Sequence, residues 1–385
     1  MNNPPRRLQT TLLPQLDGLR GIAVLLVLWF HFPFIAGSPG SQAFTDVGHK
    51  IRSGTIGVDV FFALSGFLIT RILINERVIT GTISFSNFYF KRSLRIFPAY
   101  YISIIFCIIM FRPPDQEMVY NLLYLTNYNL ANYMPNNDHS SPLAHTWSLA
   151  VEEQFYLLWP LLLAFVPMRH VRMTTAVVVP AIAVGTMVLT CLFVSTLQAD
   201  ALIFGAAPIR MLTLSFGAYL ACREHDRSPL SGRQGYALIV LAVCWLFATQ
   251  VAREWDYTTS PVYHSLGTLG FAFLALGVLA SILQPRFGLA GVPQRMLKWR
   301  PLRYVGRISY GLYLYHYVIL RMLATYDLDA GASPKRVCLA VGLTFATAVI
   351  SFHMMESPLQ RLGRRSLTPS ALTVDSDVIP LGRLL

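Results

Sequence analysis

The sequence predicts an all-α, polytopic integral membrane protein of about ten transmembrane helices with both termini cytoplasmic, and three observations carry that prediction. Of 385 residues, 54% are hydrophobic and only 13% are charged, with a mean hydropathy of +0.49, a balance foreign to soluble domains. Apolar runs of close to twenty residues recur along the chain, each long enough to cross a hydrocarbon core of about 30 Å. The basic residues between those runs alternate sides.

The runs fall at about 16–36, 55–75, 96–112, 144–166, 173–196, 202–222, 235–252, 262–284, 304–326 and 336–355. The third is short and the fourth begins with polar residues, so the stretch from Glu117 to Tyr133 reads as amphipathic or re-entrant. With the N-terminus inside, 21 basic residues fall in the inner loops and tails. Six fall outside, namely Lys50, Arg52, Arg112, Arg253, Lys335 and Arg336, in company with Asp115, Glu117, Asp138, Asp327 and Asp329. This satisfies the positive-inside rule, and an odd number of spans would spoil it. The chain divides into a cytoplasmic N-terminal segment (1–15), one transmembrane domain (16–358) and a flexible cytoplasmic tail (359–385).

Composition also excludes. The net charge of +12 sits in short loops between apolar spans, a topology signal and not a nucleic-acid footprint; no nucleic acid is expected as a partner. Cys107, Cys191, Cys222, Cys244 and Cys338 are scattered with no CxxC and no cysteine/histidine cluster, so neither a disulfide framework nor a metal is expected. Arg6 and Arg7 before an apolar run, with Ala36-Gly37-Ser38 after it, faintly resemble a signal peptide. The run is too long and too polar for an h-region, and is expected to be a retained helix.

The first span holds two groups that lipid does not tolerate. Arg20 and His31 are eleven residues apart, almost three full turns, so they share a helix face about 16 Å apart along the axis. An ionisable residue inside a span faces a cavity or a partner, and is read first as functional. The plainer reading is that Arg20 snorkels to the head groups and His31 makes a polar contact between helices. The topology puts Arg20 at the cytoplasmic side and His31 in the outer half. It brings Asp59 of the second span, and Glu152 and Glu153 of the fourth, to the depth of His31. A carboxylate beside an imidazole orients it and stabilises its protonated form. Adjacent glutamates point about 100° apart, so one is expected near the chemistry and the other in a structural pair with an arginine such as Arg210.

At the cytoplasmic side, Phe90-Lys91-Arg92-Ser93-Leu94-Arg95-Ile96-Phe97-Pro98 opens the third span. Arg92 and Arg95, three apart, lie near one face and suit a phosphate clamp; positive-inside signalling explains loop arginines equally well. In the ninth span Ser309, Tyr313 and His316 form one polar stripe, a pattern that packing between helices also produces. Ser65, Trp147 and Tyr313 are the candidate donors toward a developing oxyanion. Glu356 near the end of the last span is placed to complement a cytoplasmic arginine.

Taken together, the Arg20/His31 pair, Gly57-Val58-Asp59-Val60-Phe61-Phe62 with Leu64-Ser65-Gly66-Phe67, Arg92-Ser93-Leu94-Arg95-Ile96-Phe97-Pro98, Thr146-Trp147-Ser148-Leu149 with Glu152-Glu153-Gln154-Phe155-Tyr156, and Ser309-Tyr310 with His316 resemble the acyltransferase 3 family of integral membrane O-acyltransferases. The resemblance runs from about Leu16 to Pro358. It implies a multi-pass enzyme of the bacterial cytoplasmic membrane that moves an acyl group, usually acetyl from cytoplasmic acetyl-CoA, to a hydroxyl of a carbohydrate or glycolipid acceptor. It further implies a need for Arg20 and His31, and a stand-alone chain without a fused SGNH-type domain.

On this expectation Arg20, Arg92 and Arg95 hold the acyl-CoA. His31, with Glu152, Glu153 and Asp59, carries the chemistry, and Trp147, Ser65, Tyr313 and His316 line the substrate path. His31 acts as general base or takes the acyl group covalently; the sequence leaves both open, along with the acceptor and the existence of a homo-oligomer. The competing class is a transporter or flippase for a lipid-linked saccharide, with the buried histidine and carboxylates as a proton relay. Within enzymes, a succinyl donor or glycosyl transfer from a lipid carrier are further alternatives.

Overall fold

A computed structural model describes residues 13–32, 47, 51–133, 141–256, 261–284, 292–326 and 334–365. Residues 33–36 of the first expected span, the charges at Arg6, Arg7, Lys50, Asp138, Asp327 and Asp329, and the tail from residue 366 lie outside them.

Helices stand at all ten expected positions. The chain begins with α1 (Pro14–His31), α2 (Ser53–Thr80) and α3 (Phe85–Phe111), and two short helices follow, α4 (Asp115–Leu122) and α5 (Thr126–Tyr133). A 3-10 turn (Ala144–Thr146) leads into α6 (Trp147–Phe165), and then come α7 (Met168–Phe193), α8 (Thr196–Gly205) and α9 (Ala207–His225). The rest consists of α10 (Gly232–Asp256), α11 (Pro261–Ile282), the short α12 (Val292–Leu297) and α13 (Arg300–Arg307), α14 (Ser309–Tyr326) and α15 (Pro334–Ser351). A π turn, Phe352–Glu356, carries α15 into α16 (Ser357–Arg365), so helix continues past the expected start of the tail at 359. No strand occurs among the described residues, and the protein is an all-α, multi-pass membrane protein.

Seven helical stretches are long and apolar enough to cross a membrane. Helices α1, α6 and α14 fall outside that set. They are also the helices that carry Arg20 and His31, Glu152 and Glu153, and His316, whose polarity lowers their mean hydropathy. The lipid-facing skin is explicit on α7 and α10, where Leu192, Phe193 and Phe247 are 68%, 79% and 71% exposed.

Close backbone approach fixes the interior. A methyl group on Gly66 of α2 would overlap the Leu214 carbonyl of α9, and one on Gly217 of α9 would overlap the Ala63 carbonyl of α2. Small residues facing each other in this way let two membrane helices touch along their backbones. Helix α1 is held likewise against α12 and α13, since a side chain on Gly306 would strike the Asp17 carbonyl and one on Gly18 the Leu297 carbonyl.

The expected sixth span, 202–222, is broken in two. Ala206 is extended, at φ −64° and ψ 129°, and Pro208 lacks the N–H that an unbroken helix would use. The freed carbonyls are satisfied internally, as membrane depth requires: Arg210 Nε donates to Phe204 O at 2.5 Å and Asn127 Nδ2 to Gly205 O at 3.1 Å. Asn127 belongs to α5, so the amphipathic stretch between the third and fourth spans folds in beside the break. At the other side, Arg77 donates to Val166 O at 2.8 Å and to Leu163 O, closing the C-terminal carbonyls of α6. All five cysteines are free.

Candidate active site

Five helices, α1, α2, α3, α6 and α14, line a half-open cavity of about 730 Å³. Its lining gathers Arg20, Arg92 and Arg95 with Ser65, Glu152 and Glu153, and α14 closes it with Ser309, Tyr310 and Tyr313. Arg92 and Arg95 share this wall because they are three apart on α3. No carboxylate of a described residue lies within 4.0 Å of either, and Arg92 Nε is buried with no hydrogen-bond partner there. The Arg92 guanidinium lies 3.6 Å from the Tyr156 ring centroid, a cation–π contact. Arg20 approaches Asp17 only to 4.0 Å.

Glu152 is tied on both oxygens. Ser65 Oγ donates to Oε1 at 2.8 Å and Tyr156 OH to Oε2 at 2.9 Å. Glu153 lines the same cavity and makes no hydrogen bond or ion pair with a described residue. The two adjacent glutamates therefore face one space, where the expectation was one structural and one near the chemistry.

A layer of histidines adjoins the cavity beyond Tyr313. His316 Nδ1 lies 2.5 Å from Tyr313 O, and a carbonyl only accepts, so Nδ1 carries the proton and Nε2 the lone pair. His31 Nδ1 is 3.2 Å from that Nε2 and 3.0 Å from Val27 O. Both neighbours accept, so His31 Nδ1 is the protonated nitrogen, and the lone pair of neutral His31 sits on Nε2. Next to them His145 Nε2 donates to Leu314 O at 3.1 Å, with its ring centroid 5.1 Å from that of His316. Tyr317 closes the layer at 5.5 Å from His31 and 5.1 Å from His145.

The structure therefore splits the depth layer that the topology suggested. Ser65, the partner of Glu152, lies six residues beyond Asp59 on α2, about 9 Å further along the axis. Asp59 is not at the cavity. Its carboxylate accepts from Thr213 at 2.7 Å and from Arg210 at 3.4 Å, and both charged side chains are 1% exposed. Arg210 thus has an acidic partner as expected, but that partner is Asp59 and not a glutamate. Two of the expected oxyanion donors are also engaged, because Ser65 gives its hydrogen to Glu152, and Tyr313 gives its own to the His145 carbonyl at 2.7 Å while Ser148 Oγ sits 2.6 Å from its oxygen. Trp147 packs against Phe204, with ring centroids 4.5 Å apart and planes tilted by 49°, and lies beneath Arg210 at 5.2 Å; its indole N–H makes no hydrogen bond with a described residue. Glu356 accepts from Ser351 at 3.0 Å and has no ion pair within 4.0 Å among the described residues.

Reading the sequence alone missed His145, Tyr156 and Ser148. The signal was present for the first and second: His145 opens the helix that carries the two glutamates, and Tyr156 follows Glu152 by four residues, hence on the same face. Nothing in the sequence marks Ser148, whose role depends on Tyr313, 165 residues away.

An all-α membrane protein with an arginine-lined cavity beside a histidine layer is the class that fold and site define. The family model for the acyltransferase domain, acyltransferase 3, matches residues 13–356, and the chain belongs to that family. It is 29% identical over 370 residues to the peptidoglycan O-acetyltransferase OatA of Listeria monocytogenes, an alignment covering 91% of this chain and 56% of the relative. It is 28% identical to the putative peptidoglycan O-acetyltransferase YrhL of Bacillus subtilis, over 92% of this chain and 56% of that one. With the O-acetyltransferase OatA of Staphylococcus aureus it shares 27% identity, covering 91% and 58%. The chain thus spans a little over half the length of these curated relatives. No solved structure matches.

Proposed function

We propose that this chain is a membrane O-acyltransferase that moves an acyl group, acetyl in the first instance, from a cytoplasmic acyl-CoA to a hydroxyl of a cell-surface glycan. The reading places it in a bacterial cytoplasmic membrane with both termini inside. Family membership supports it, as do the O-acetyltransferase relatives, of which the Listeria protein is a peptidoglycan O-acetyltransferase. The observation that carries it is the adjacency of the histidine pair to a cavity holding three arginines and no equal number of bonded acids.

In this reading Arg20, Arg92 and Arg95 bind the phosphates of the donor. Arginine forks suit phosphate oxygens, and Arg92 has a buried Nε without a partner among the described residues. The donor supplies an electrophilic thioester carbonyl. His31 Nε2 takes the proton from the acceptor hydroxyl as the oxygen attacks that carbonyl, and the proton is returned as the CoA thiolate leaves. His316 Nε2 and the Val27 carbonyl hold His31 in the tautomer that keeps Nε2 basic. Glu152 and Glu153 balance the arginine charge, and Glu152 braces Tyr156 and Ser65 across the cavity. Asp59 acts at a distance, fixing Arg210 and with it the helix break beside Trp147.

The test is mass spectrometry of surface glycans and lipid-linked oligosaccharides from cells with the native chain, with His31→Ala and with neither, membrane levels of protein being matched. The expected result is an acetyl increment with the native chain that drops at least about a hundredfold in the variant, the scale of a lost general base. Unmodified glycan accumulating on one side of the membrane would instead mark a transporter. An acyl-enzyme trapped after CoA loading and absent in His31→Ala would replace the general-base role with covalent transfer.

A further inference from the structure

A second cavity lies at the other end of α1. Phe30 lies ten residues along the helix from Arg20, about 15 Å by helical rise, and lines this half-open cavity of about 860 Å³. Its polar wall holds Arg52, Arg210, Arg253 and His264, and its apolar wall Phe204 and Phe271. Under the expected topology this is the outer end, where basic residues are scarce, yet two of the six outer ones meet here.

Not all of these cations are spoken for. Arg210 is paired with Asp59, and His264 Nδ1 lies 3.3 Å from Asp200. Arg52 and Arg253 make no hydrogen bond or ion pair within 4.0 Å with any described residue. Burial first, and then the neighbouring Arg253 and Arg210, hold the Arg52 guanidinium below the usual arginine value, with Asp200 opposing. Arg52 also sits in left-handed backbone, at φ 50° and ψ 48°, at the start of α2. A non-glycine residue in that region is kept there by its surroundings, and such residues concentrate at ligand sites. Two half-buried guanidiniums on the wall of one concave space are costly alone and favourable once an oxyanion lies between them.

We infer that this cavity binds an anionic group, carboxylate or phosphate, carried by the acceptor saccharide, and that Arg52 and Arg253 read it. The inference rests on the acyltransferase reading for the direction of entry. It goes further by naming the acceptor as charged. The cavity borders the proposed chemistry at Phe30, whose ring lies edge-on to His31 at 5.0 Å between centroids, while Arg210 and Phe204 of its wall pack on Trp147. A saccharide anchored by its anion at Arg52 and Arg253, with a sugar face on the phenylalanines, has its hydroxyls toward His31.

The experiment is equilibrium binding of three matched disaccharides to the purified full chain in lipid nanodiscs: one neutral, one bearing a carboxylate and one a phosphate. Arg52→Gln and Arg253→Gln are measured alongside, and CoA binding at the far cavity reports that each variant is folded. An anionic disaccharide is expected to bind at least about tenfold tighter than the neutral one, equivalent to one well-formed charge-assisted contact, and the arm that shows it identifies carboxylate or phosphate. Either substitution should collapse that ratio toward one, and Arg52→Lys should keep part of it. Equal affinity for all three, or a preference that both glutamine variants retain, overturns the inference. Acetyl transfer to the same three sugars, run in parallel, separates the two claims: transfer without discrimination leaves the acyltransferase standing, while binding discrimination without transfer leaves the anion site standing.

Discussion

Two acid–arginine groupings inside this protein use the same side chains to opposite ends. Asp59 and Arg210 are each 1% exposed and bonded to one another, with Thr213 donating to Asp59 and the Phe204 carbonyl accepting from Arg210. Glu152 and Glu153 face Arg20, Arg92 and Arg95 across an open cavity, and none of these pairs closes to 4.0 Å. A pair that satisfies itself is part of the scaffold. Charges held apart around empty space are what the proposed donor site requires, since they leave room for phosphate between the arginines.

The largest expected effect separates the two. Asp59→Asn leaves the Arg210 guanidinium buried without its counter-charge, and breaking a buried pair from one side costs about 3–5 kcal/mol. The variant should show a markedly lower melting temperature in detergent and reduced membrane levels. Glu152→Gln keeps the shape and the neighbouring hydroxyls while removing a charge that faces the cavity, so its melting temperature should stay near native while acyl transfer falls. Equal destabilisation by both substitutions would erase the distinction between scaffold and site.

A smaller effect sharpens the role of the arginines. Arg92→Gln and Arg95→Gln should each raise the KM for acyl-CoA by about tenfold, the worth of one charged hydrogen bond, with a lesser change in kcat. The check is steady-state transfer in proteoliposomes with donor varied at saturating acceptor. A change confined to the KM for acceptor would move these arginines away from the donor.

How much of this was legible in the sequence divides along physical lines. Helix positions were, because hydrophobic length and loop charge depend only on local composition. The sharing of one wall by Arg92 and Arg95 followed from their spacing, but depth put Glu152 and Glu153 beside His31, and they line the cavity of Arg20, Arg92 and Arg95 instead. What depth cannot supply is rotation about each helix axis. Asp59 was placed with His31 by depth, yet the Gly66 and Gly217 contact of α2 with α9 turns it toward Arg210. The break at Ala206 was hidden because an apolar run reads the same whether it is one helix or two, and only Pro208 hinted at it. The partner of Tyr313 was hidden for the same reason, since it lies on a helix far away in sequence.

The smallest expected effect tests the histidine pair itself. If His316 serves His31 by offering Nε2 as an acceptor, a glutamine there retains a side-chain oxygen near that position and a leucine does not. His316→Leu should lower kcat by about tenfold, the value of one hydrogen bond that selects the tautomer, while His316→Gln should lose only a few-fold. The KM for acyl-CoA should be unmoved in both, because His316 lies beyond Tyr313 and not among the residues that line the inner cavity. Equal losses in the two variants would assign His316 to packing. A loss in His316→Leu approaching that of His31→Ala would instead make the two imidazoles a single acid–base unit, with the proton shared across the 3.2 Å between them.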